Sequence, residues 1–350
     1  MILIFGVINQ YGVLSHFSSG IQEDLAILGE QCTVLPVNDG ELAANILNKI
    51  DHSQIKFSIC MNGSGLDTAL ALGKTYALAV DHPLLLLPHL QKYKGYELLC
   101  IAKEHTAFAN LLNIPAKDFF HAVSSKDITE TVVANIDRTD EVLFPASYMD
   151  LNAAKQALIE LGIFEQIKPA LEQVKSINEF LMAIGVLPNG DRPPTTALDE
   201  KVYKITCEAD RYIRALSRNQ VLSNYQDKGV RLSVYGRNVR KYAEEYPEHD
   251  YHEEIPYTDL LKKMEKAKYV VHNSPGFLFA LHERLIFPLA KGTPVLFDAT
   301  EHQKQMLNEL PAIYPSSQVF NEYTTKDIEA SIKKLRQSHT WIKRLSSLLI

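Results

Sequence analysis

The 350-residue sequence predicts an α/β protein with two parallel-sheet lobes. Three observations carry this. Short apolar runs without strict two-residue alternation recur between longer amphipathic segments. A stretch made almost wholly of helix formers interrupts them, and the first pattern then resumes. Strands buried on both faces read as near-continuous β-branched and aromatic runs, as in a parallel sheet covered by helices.

The candidate strands of the first lobe are ILIFGVI, CTVLPV, IKFSICM, YALAV, ELLCIA and DFFHAV, with EVLFPAS, near 141–147, as the last. The segment FSSGIQEDLAILG places Ile21, Leu25 and Leu28 on one helical face and stops at Gly29, a favoured C-terminal residue. The crossovers are expected to be right-handed. Residues 1–147 are therefore read as one lobe. Residues 148–228 are read as a helical connection or insertion. It holds LNAAKQALIELGIFEQIKPALEQVKSINEFLMAIGV, the loop PNGDRPPTTA and a long helix over roughly 199–225. The second lobe, 229–325, opens with RLSVYG. Helix DLLKKMEKA leads to strand KYVVHN, helix FALHERLIFPLAK to strand TPVLFD, and a shorter helix to SQVF. Residues 326–350 form a closing helix expected to return to the first lobe.

Composition narrows the function classes. The formal charge of −6, without clustered Lys and Arg, gives no electrostatic footprint for nucleic acid. Cys32, Cys60, Cys100 and Cys207 are widely spaced, with no metal-ligand spacing. They read as free thiols of a reducing compartment. The N-terminal MILIFGVINQYG lacks a basic leader and reads as a buried strand. No run approaches the roughly 20 apolar residues of a membrane helix. A cytoplasmic location is expected. The mildly amphipathic WIKRLSSLLI is read as docking onto the protein rather than onto a membrane surface.

The densest chemistry lies in KYVVHNSPGFLFALHERLIFPLAKGTPVLFD, residues 268–298. A strand ends in the turn Asn273-Ser274-Pro275-Gly276. A helix bearing His282, Glu283 and Arg284 follows. It stops at Gly292, and Thr293-Pro294 feeds the next strand. A loop entering a helix offers backbone N–H groups and a positive dipole end to a diphosphate. Arg284 adds a permanently charged fork, and Glu283 can accept bonds from sugar or ribose hydroxyls. The alternative is a solvated turn of an amphipathic helix. In the first lobe, the loop after ILIFGVI carries Asn9, Gln10, Tyr11, Ser15 and His16. His16 is either a candidate general base or a hydrogen-bonded surface histidine. Asp81-His82-Pro83 follows YALAV, where Pro83 fixes the turn. This pair either serves the acceptor side or builds the turn. Asn62-Gly63-Ser64-Gly65 is a flexible turn without the Gly-Lys-Ser/Thr of a P-loop. G-x-G-x-x-G is absent, which disfavours a nicotinamide oxidoreductase. Asp137 and Asp140 form no Asp-x-Asp pair, so no essential metal is expected.

These residues and the order of elements resemble GT-B glycosyltransferases of the group 1 clan, with the CgeB-like branch as the nearest match. RLSVYG, DRYIRALSRNQVLSNYQDKG and HDYHEEIPYTDLLKKMEKAKYVV resemble the donor lobe and its entrance. The match covers roughly 200–300 well and 1–147 more loosely, and it leaves 151–198 uncovered. The resemblance implies two Rossmann-like parallel-sheet domains facing a cleft, joined by the helical segment. It implies sugar transfer from a nucleotide-sugar co-substrate, without cofactor, to an unidentified acceptor. Donor contacts would be Gly236, Arg237, Asn273, Ser274, His282, Glu283, Arg284, Gly292 and Thr293. His16, Asp81 and His82 would serve the acceptor side. One departure stands out: relatives place a ribose-binding carboxylate five residues before the Gly of the G-T-P turn, where this chain has Phe287. Glu283, one turn earlier, is a candidate substitute. The rival readings are a nucleotide-sugar epimerase on the same scaffold and a catalytically silent nucleotide-sugar-binding module.

Overall fold

The structure is a computed structural model. It describes all residues except 8–10, 134–136, 191, 274, 278–279, 300, 322 and 350, and the side chains of 301, 302 and 306. Among the described residues, two six-stranded parallel sheets form.

The first sheet comprises β1 (Ile2–Gly6), β2 (Cys32–Pro36), β3 (Phe57–Met61), β4 (Thr75–Ala79), β5 (Tyr96–Cys100) and β6 (Ala116–Asp118). Its order is β2-β1-β3-β4-β5-β6. The winding reverses between β1 and β3. The second sheet comprises β7 (Val142–Pro145), β8 (Leu232–Tyr235), β9 (Asp250–His252), β10 (Tyr269–Val271), β11 (Val295–Leu296) and β12 (Ile313–Tyr314). Its order is β12-β11-β10-β7-β8-β9, so the winding reverses between β7 and β10. Every pairing in both sheets is parallel. Strands β1, β3 and β4 are buried along their whole length, which is why their sequences show no alternation.

Five expectations change. The segment EVLFPAS does not close the first sheet. It is β7, a central strand of the second sheet, bonded to β8 and β10. A run buried on both faces carries no mark of which sheet it joins. The division expected at 147 thus falls after the second sheet has begun. For the same reason the helical stretch is the crossover from β7 to β8 within the second sheet, and the chain leaves the first sheet after Asp118 and enters the second at Val142. The sixth strand of the first sheet, Ala116–Asp118, shares only Asp118 with DFFHAV. SQVF is a single 3₁₀ segment, Ser316–Phe320, and the short β12 precedes it.

The crossover opens with helix Leu151–Glu160, whose first turn is capped by Asp150 Oδ1 accepting from the Ala153 amide at 2.9 Å. It closes with helix Glu200–Asp227, capped likewise by Asp199 on Val202 at 2.8 Å. With Phe164–Gln173 and Ile177–Ala183, these helices bury a core of their own around Leu158, Phe180 and Tyr212, and that core takes in Leu84 and Phe108 of the first lobe.

A larger core runs through both lobes without a break. Phe17, on helix Val13–Ile27, stacks on Phe287 at 5.7 Å between ring centroids, and Tyr257 meets Phe287 edge-on at 5.8 Å. Position 287 is therefore apolar because it belongs to the lobe junction. The chain's last helices return to the first lobe. Trp341 packs beside Phe17 and Phe119, its amide donates to Val123 O at 3.0 Å, and Ile342 N donates to Asp24 at 3.2 Å. Leu345 and Leu348 are buried, so the apolar side of this segment is spent on the protein. No helix among the described residues is long and apolar enough to cross a membrane.

Trp341 is 1% exposed and ties the chain's end to the first lobe. Trp341→Ala is expected to lower the unfolding free energy by about 3–5 kcal/mol, read as a shift in urea midpoint by far-UV circular dichroism. A midpoint within experimental error of the parent would refute this packing.

Candidate functional site

Ligands of open α/β sheets sit outside the carboxyl ends of strands, where the winding reverses. In the second sheet that place lies at the ends of β7 and β10, and Arg284 occupies it. Its helix, Glu283–Ala290, begins after His282, whose extended backbone makes it the cap. The Arg284 guanidinium donates from Nη1 to Pro145 O, the last residue of β7, at 3.2 Å. Nη2 lies 3.5 Å from His282 Nε2, and Nε lies 3.8 Å from Glu283 Oε1. The side chain is 18% exposed. Burial lowers its proton affinity, with Glu283 opposing and Arg214 adding to the effect.

Two further guanidiniums come from the crossover helix Glu200–Asp227. Arg214 and Arg218 stand four residues apart and so share a face. Arg214 Nε donates to Asp210 Oδ2 at 2.7 Å. Its Nη2 is buried and has no hydrogen-bond partner. Arg218 Nη1 donates to Ser147 O just beyond β7, while its Nε is buried without a partner. Burial pushes Arg218 down to about 10, and Arg284 contributes further. Burial also works against the Arg214 charge, but Asp210 and Asp81 with Glu283 outweigh it, and the net shift is upward. Buried donors are normally satisfied. Two unpartnered guanidinium N–H groups beside a third arginine make a site whose chemistry suits an anion.

The first lobe faces this cluster with the ends of β3 and β4. Asn62 Nδ2 donates to Asp81 Oδ2 at 2.9 Å, and the Val80 amide donates to Asn62 Oδ1 at 2.9 Å. Burial raises the Asp81 carboxyl, with Arg214 and Asn62 opposing. His82 is fully buried and both of its nitrogens are engaged. Nδ1 accepts from Leu84 N at 3.0 Å, so Nε2 donates to Asn178 Oδ1 at 3.1 Å. Burial takes it down to about 4. His82 is thus a neutral turn-builder, and of the Asp81-His82 pair Asp81 alone remains a candidate for proton transfer. His16 Nε2 meets Asp127 Oδ2 at 2.9 Å, and Asp127 Oδ1 accepts from Lys291 Nζ at 3.3 Å. The imidazole packs edge-on against Tyr257 and Phe287. His16 is therefore part of a bridge between lobes at the packed junction.

The expected donor residues divide. Gly236 follows β8 so close to the chain leaving β7 that a Cβ there would lie 2.6 Å from Ala146 O. The amide of Arg237 donates to Tyr11 Oη at 3.1 Å, and its Nε donates to Glu254 at 3.1 Å. Tyr11 Oη also bonds Ser147 Oγ. Asn273 Nδ2 donates to Ser217 Oγ at 3.1 Å. Asn273 borders a cavity of about 340 Å³ with Ser217, Gln220, Asn224 and Asp298. Glu283 Oε2 lies 2.7 Å from His282 Nδ1 and 3.5 Å from His121 Nε2. The same Nδ1 lies 3.1 Å from the Arg284 amide, so the helix-start N–H expected for a phosphate is covered by its own cap. Ser274 lies outside the described residues. Gly292 and Thr293 do not reach the site: they precede β11 at the amino edge of the sheet. There Arg138 donates to Gly292 O and, at 2.9 Å, to Thr293 Oγ1, and Thr293 Oγ1 donates to Met264 O. A residue before a strand is held at the end opposite the crevice, which is why these two brace the fold.

Arg214, Arg218 and Ser147 belong to the candidate site without an assignment from sequence, whereas Tyr11 and Asn62 stand in two loops that the sequence singles out. The signal for the arginines is the spacing in RYIRALSR, which aligns Arg214 with Arg218 on one helical face.

Five histidines, His82, His105, His121, His272 and His282, are at most 5% exposed, and burial lowers the proton affinity of each. The unfolded chain takes up protons near pH 6.5, whereas the folded chain resists until lower pH. Stability is therefore full above pH 6.5 and is lost as pH falls toward 4. His82 alone contributes up to roughly 3 kcal/mol of that loss. Urea midpoints measured from pH 7.5 to 4.5 should fall steadily on the acid side, and less so for His82→Gln. A flat profile would contradict the buried, neutral assignment.

No protein-family model matches the chain, and no curated protein does. Its structure is similar to that of a sucrose-phosphate synthase from Thermosynechococcus elongatus, at TM-score 0.55 and 10% identity over 99% of this chain and 97% of that one. It is similar to a glycosyltransferase involved in avilamycin A biosynthesis, at TM-score 0.54 and 10% identity over 99% and 95%. A glycosyltransferase from Rickettsia africae ESF-5 gives TM-score 0.52 and 9% identity over 99% and 96%. With two doubly wound parallel sheets whose reversal points meet across a shared site, the chain has the GT-B glycosyltransferase fold.

Proposed function

We propose that this chain is a glycosyltransferase that moves a sugar from a nucleotide-sugar to an acceptor hydroxyl without an essential metal. The observation that carries the reading is the meeting of Arg214, Arg218 and Arg284 at the reversal point of the second sheet, two of them with orphaned N–H groups, opposite the Asp81 carboxyl. The similarity of residues 268–298 to CgeB-like enzymes supports it.

In this mechanism the donor's diphosphate lies on the three guanidiniums. The cavity beside Asn273 and Asp298 takes the nucleoside, whose hydroxyls and base edge find Gln220 and Asn224 there. The acceptor enters from the first lobe with its hydroxyl at Asp81. Asp81 takes the hydroxyl proton as the acceptor oxygen forms its bond to the anomeric carbon. The bond from that carbon to the diphosphate oxygen breaks, and the nucleoside diphosphate leaves with the electron pair. Fixed cations aimed at the departing oxygens stabilise the transition state more than the ground state. They supply the charge that a divalent ion would otherwise bring. Asn62 holds the carboxyl in place, and the neutral His82 fixes the turn behind it. A cytoplasmic setting belongs to the proposal, consistent with four free thiols.

One observation favours a second reading, a silent nucleotide-sugar-binding module. Phe287 is 1% exposed in the lobe junction, so the ribose carboxylate of relatives has no counterpart at that position.

The test begins with a melting-temperature panel of UDP-, GDP-, CDP-, ADP- and TDP-sugars, since a ligand of the native state raises its midpoint. At least one is expected to do so. With that donor, hydrolysis or transfer is expected to persist in EDTA. It should fall about 10²–10⁴-fold in Asp81→Asn with donor binding retained, and about 10²–10³-fold in Arg284→Ala. Binding without any turnover above background would select the silent module. A panel with no shift would overturn both readings.

A further inference from the structure

We infer that Asp210 and Gly276 are positioning residues for Arg214, holding its guanidinium ready for the donor diphosphate; this rests on the glycosyltransferase reading. Asp210 sits one helical turn before Arg214 and is 2% exposed. Its Oδ2 accepts from Arg214 Nε at 2.7 Å, while Oδ1 is buried without a partner. The carboxylate thus grips the near edge of the guanidinium and leaves Nη2 on the far side.

That far side is shaped by the loop after β10. A Cβ on Gly276 would lie 2.9 Å from Arg214 Nη2, so the absence of a side chain gives the guanidinium its place. The loop is pinned from three directions. His105 of the first lobe donates from Nε2 to Gly276 O at 3.1 Å. The Ile177 amide of the crossover donates to Pro275 O at 3.3 Å. Gln303 Nε2 donates to Phe277 O at 3.0 Å. A pinned loop cannot retreat from an added methyl, so the guanidinium would have to move.

Arg214 makes one hydrogen bond from its inner nitrogen and leaves a buried N–H unspent. A planar fork preset in this way loses little freedom when it meets phosphate oxygens. Because its holders come from the crossover helix and from a loop anchored to the first lobe, Arg214 is fixed relative to both lobes at once.

The experiment is calorimetric titration of UDP, GDP, CDP, ADP and TDP into the parent protein and into Arg214→Ala, Asp210→Asn, Gly276→Ala and the doubles D210N/R214A and G276A/R214A. Circular dichroism checks that each is folded. Arg214→Ala is expected to weaken the best nucleoside diphosphate about tenfold or more. Asp210→Asn and Gly276→Ala should each weaken it several-fold. Neither change should add to the loss once Arg214 is gone, because residues that act through a third are non-additive with it. Glu208→Gln, in the exposed pair with Arg211, should bind as the parent does. Additive losses in the doubles, or parental affinity in both single variants, would overturn the proposal while leaving the donor reading intact. If Asp210→Asn does not fold, the Gly276 cycle decides alone. A parent that binds none of the five overturns the donor reading, and this one with it.

Discussion

Burying positive charge at the reversal point of a sheet is the constraint around which this molecule is organised. Three guanidiniums share a space from which water is largely removed. Like charges in such a place repel, and each loses hydration. The fold answers with carboxylates from three separate elements: Asp210 on the crossover helix, Glu283 at the head of its own helix and Asp81 from the opposite lobe. It also lends the carbonyls of Pro145 and Ser147. The compensation is incomplete, since Arg214 Nη2 and Arg218 Nε keep no hydrogen-bond partner.

The same constraint explains why the lobes meet so tightly on one side. Phe17, Phe287 and Tyr257 weld the junction, and the bridge from His16 through Asp127 to Lys291 runs beside it. Tyr11 reaches across to Ser147 and the Arg237 amide. These contacts set how far Asp81 stands from the arginines. Phe287, buried between Phe17 and Tyr257, adds packing to the joint.

Much of the fold was legible in the sequence because apolar runs and helix periodicity are local. The strands of the first sheet through β5, and β8, β10 and β11, stand where their patterns place them. The membership of β7 was not legible, since a doubly buried strand looks alike in either sheet. The site was legible only where residues cluster in the chain. The turn at Asn273 and the His282–Arg284 group are at the crevice, and Asp81 faces it. Gly292 and Thr293 stand at the opposite end of the sheet, because proximity in sequence does not say which end of a strand a residue occupies. Arg214 and Arg218 enter from a segment about 70 residues before Arg284, and only the crossover's path brings them together.

That path has a consequence for the growing chain. Strand β7 ends at Pro145, yet its neighbour β8 begins at Leu232 and β10 at Tyr269. On a ribosome the apolar run VLFP emerges directly after a first sheet that is already complete, and must wait for its true partners while a whole helical subdomain is synthesised. Pairings of such sequence separation form slowly and leave strand edges exposed meanwhile. The helices of the crossover have their own core and can condense in the interval, shortening the effective loop that β7 has to close. Assembly of the second sheet is thereby made conditional on a module whose helices also deliver the arginines, so that a chain in which the crossover misfolds loses its second sheet as well as its binding site.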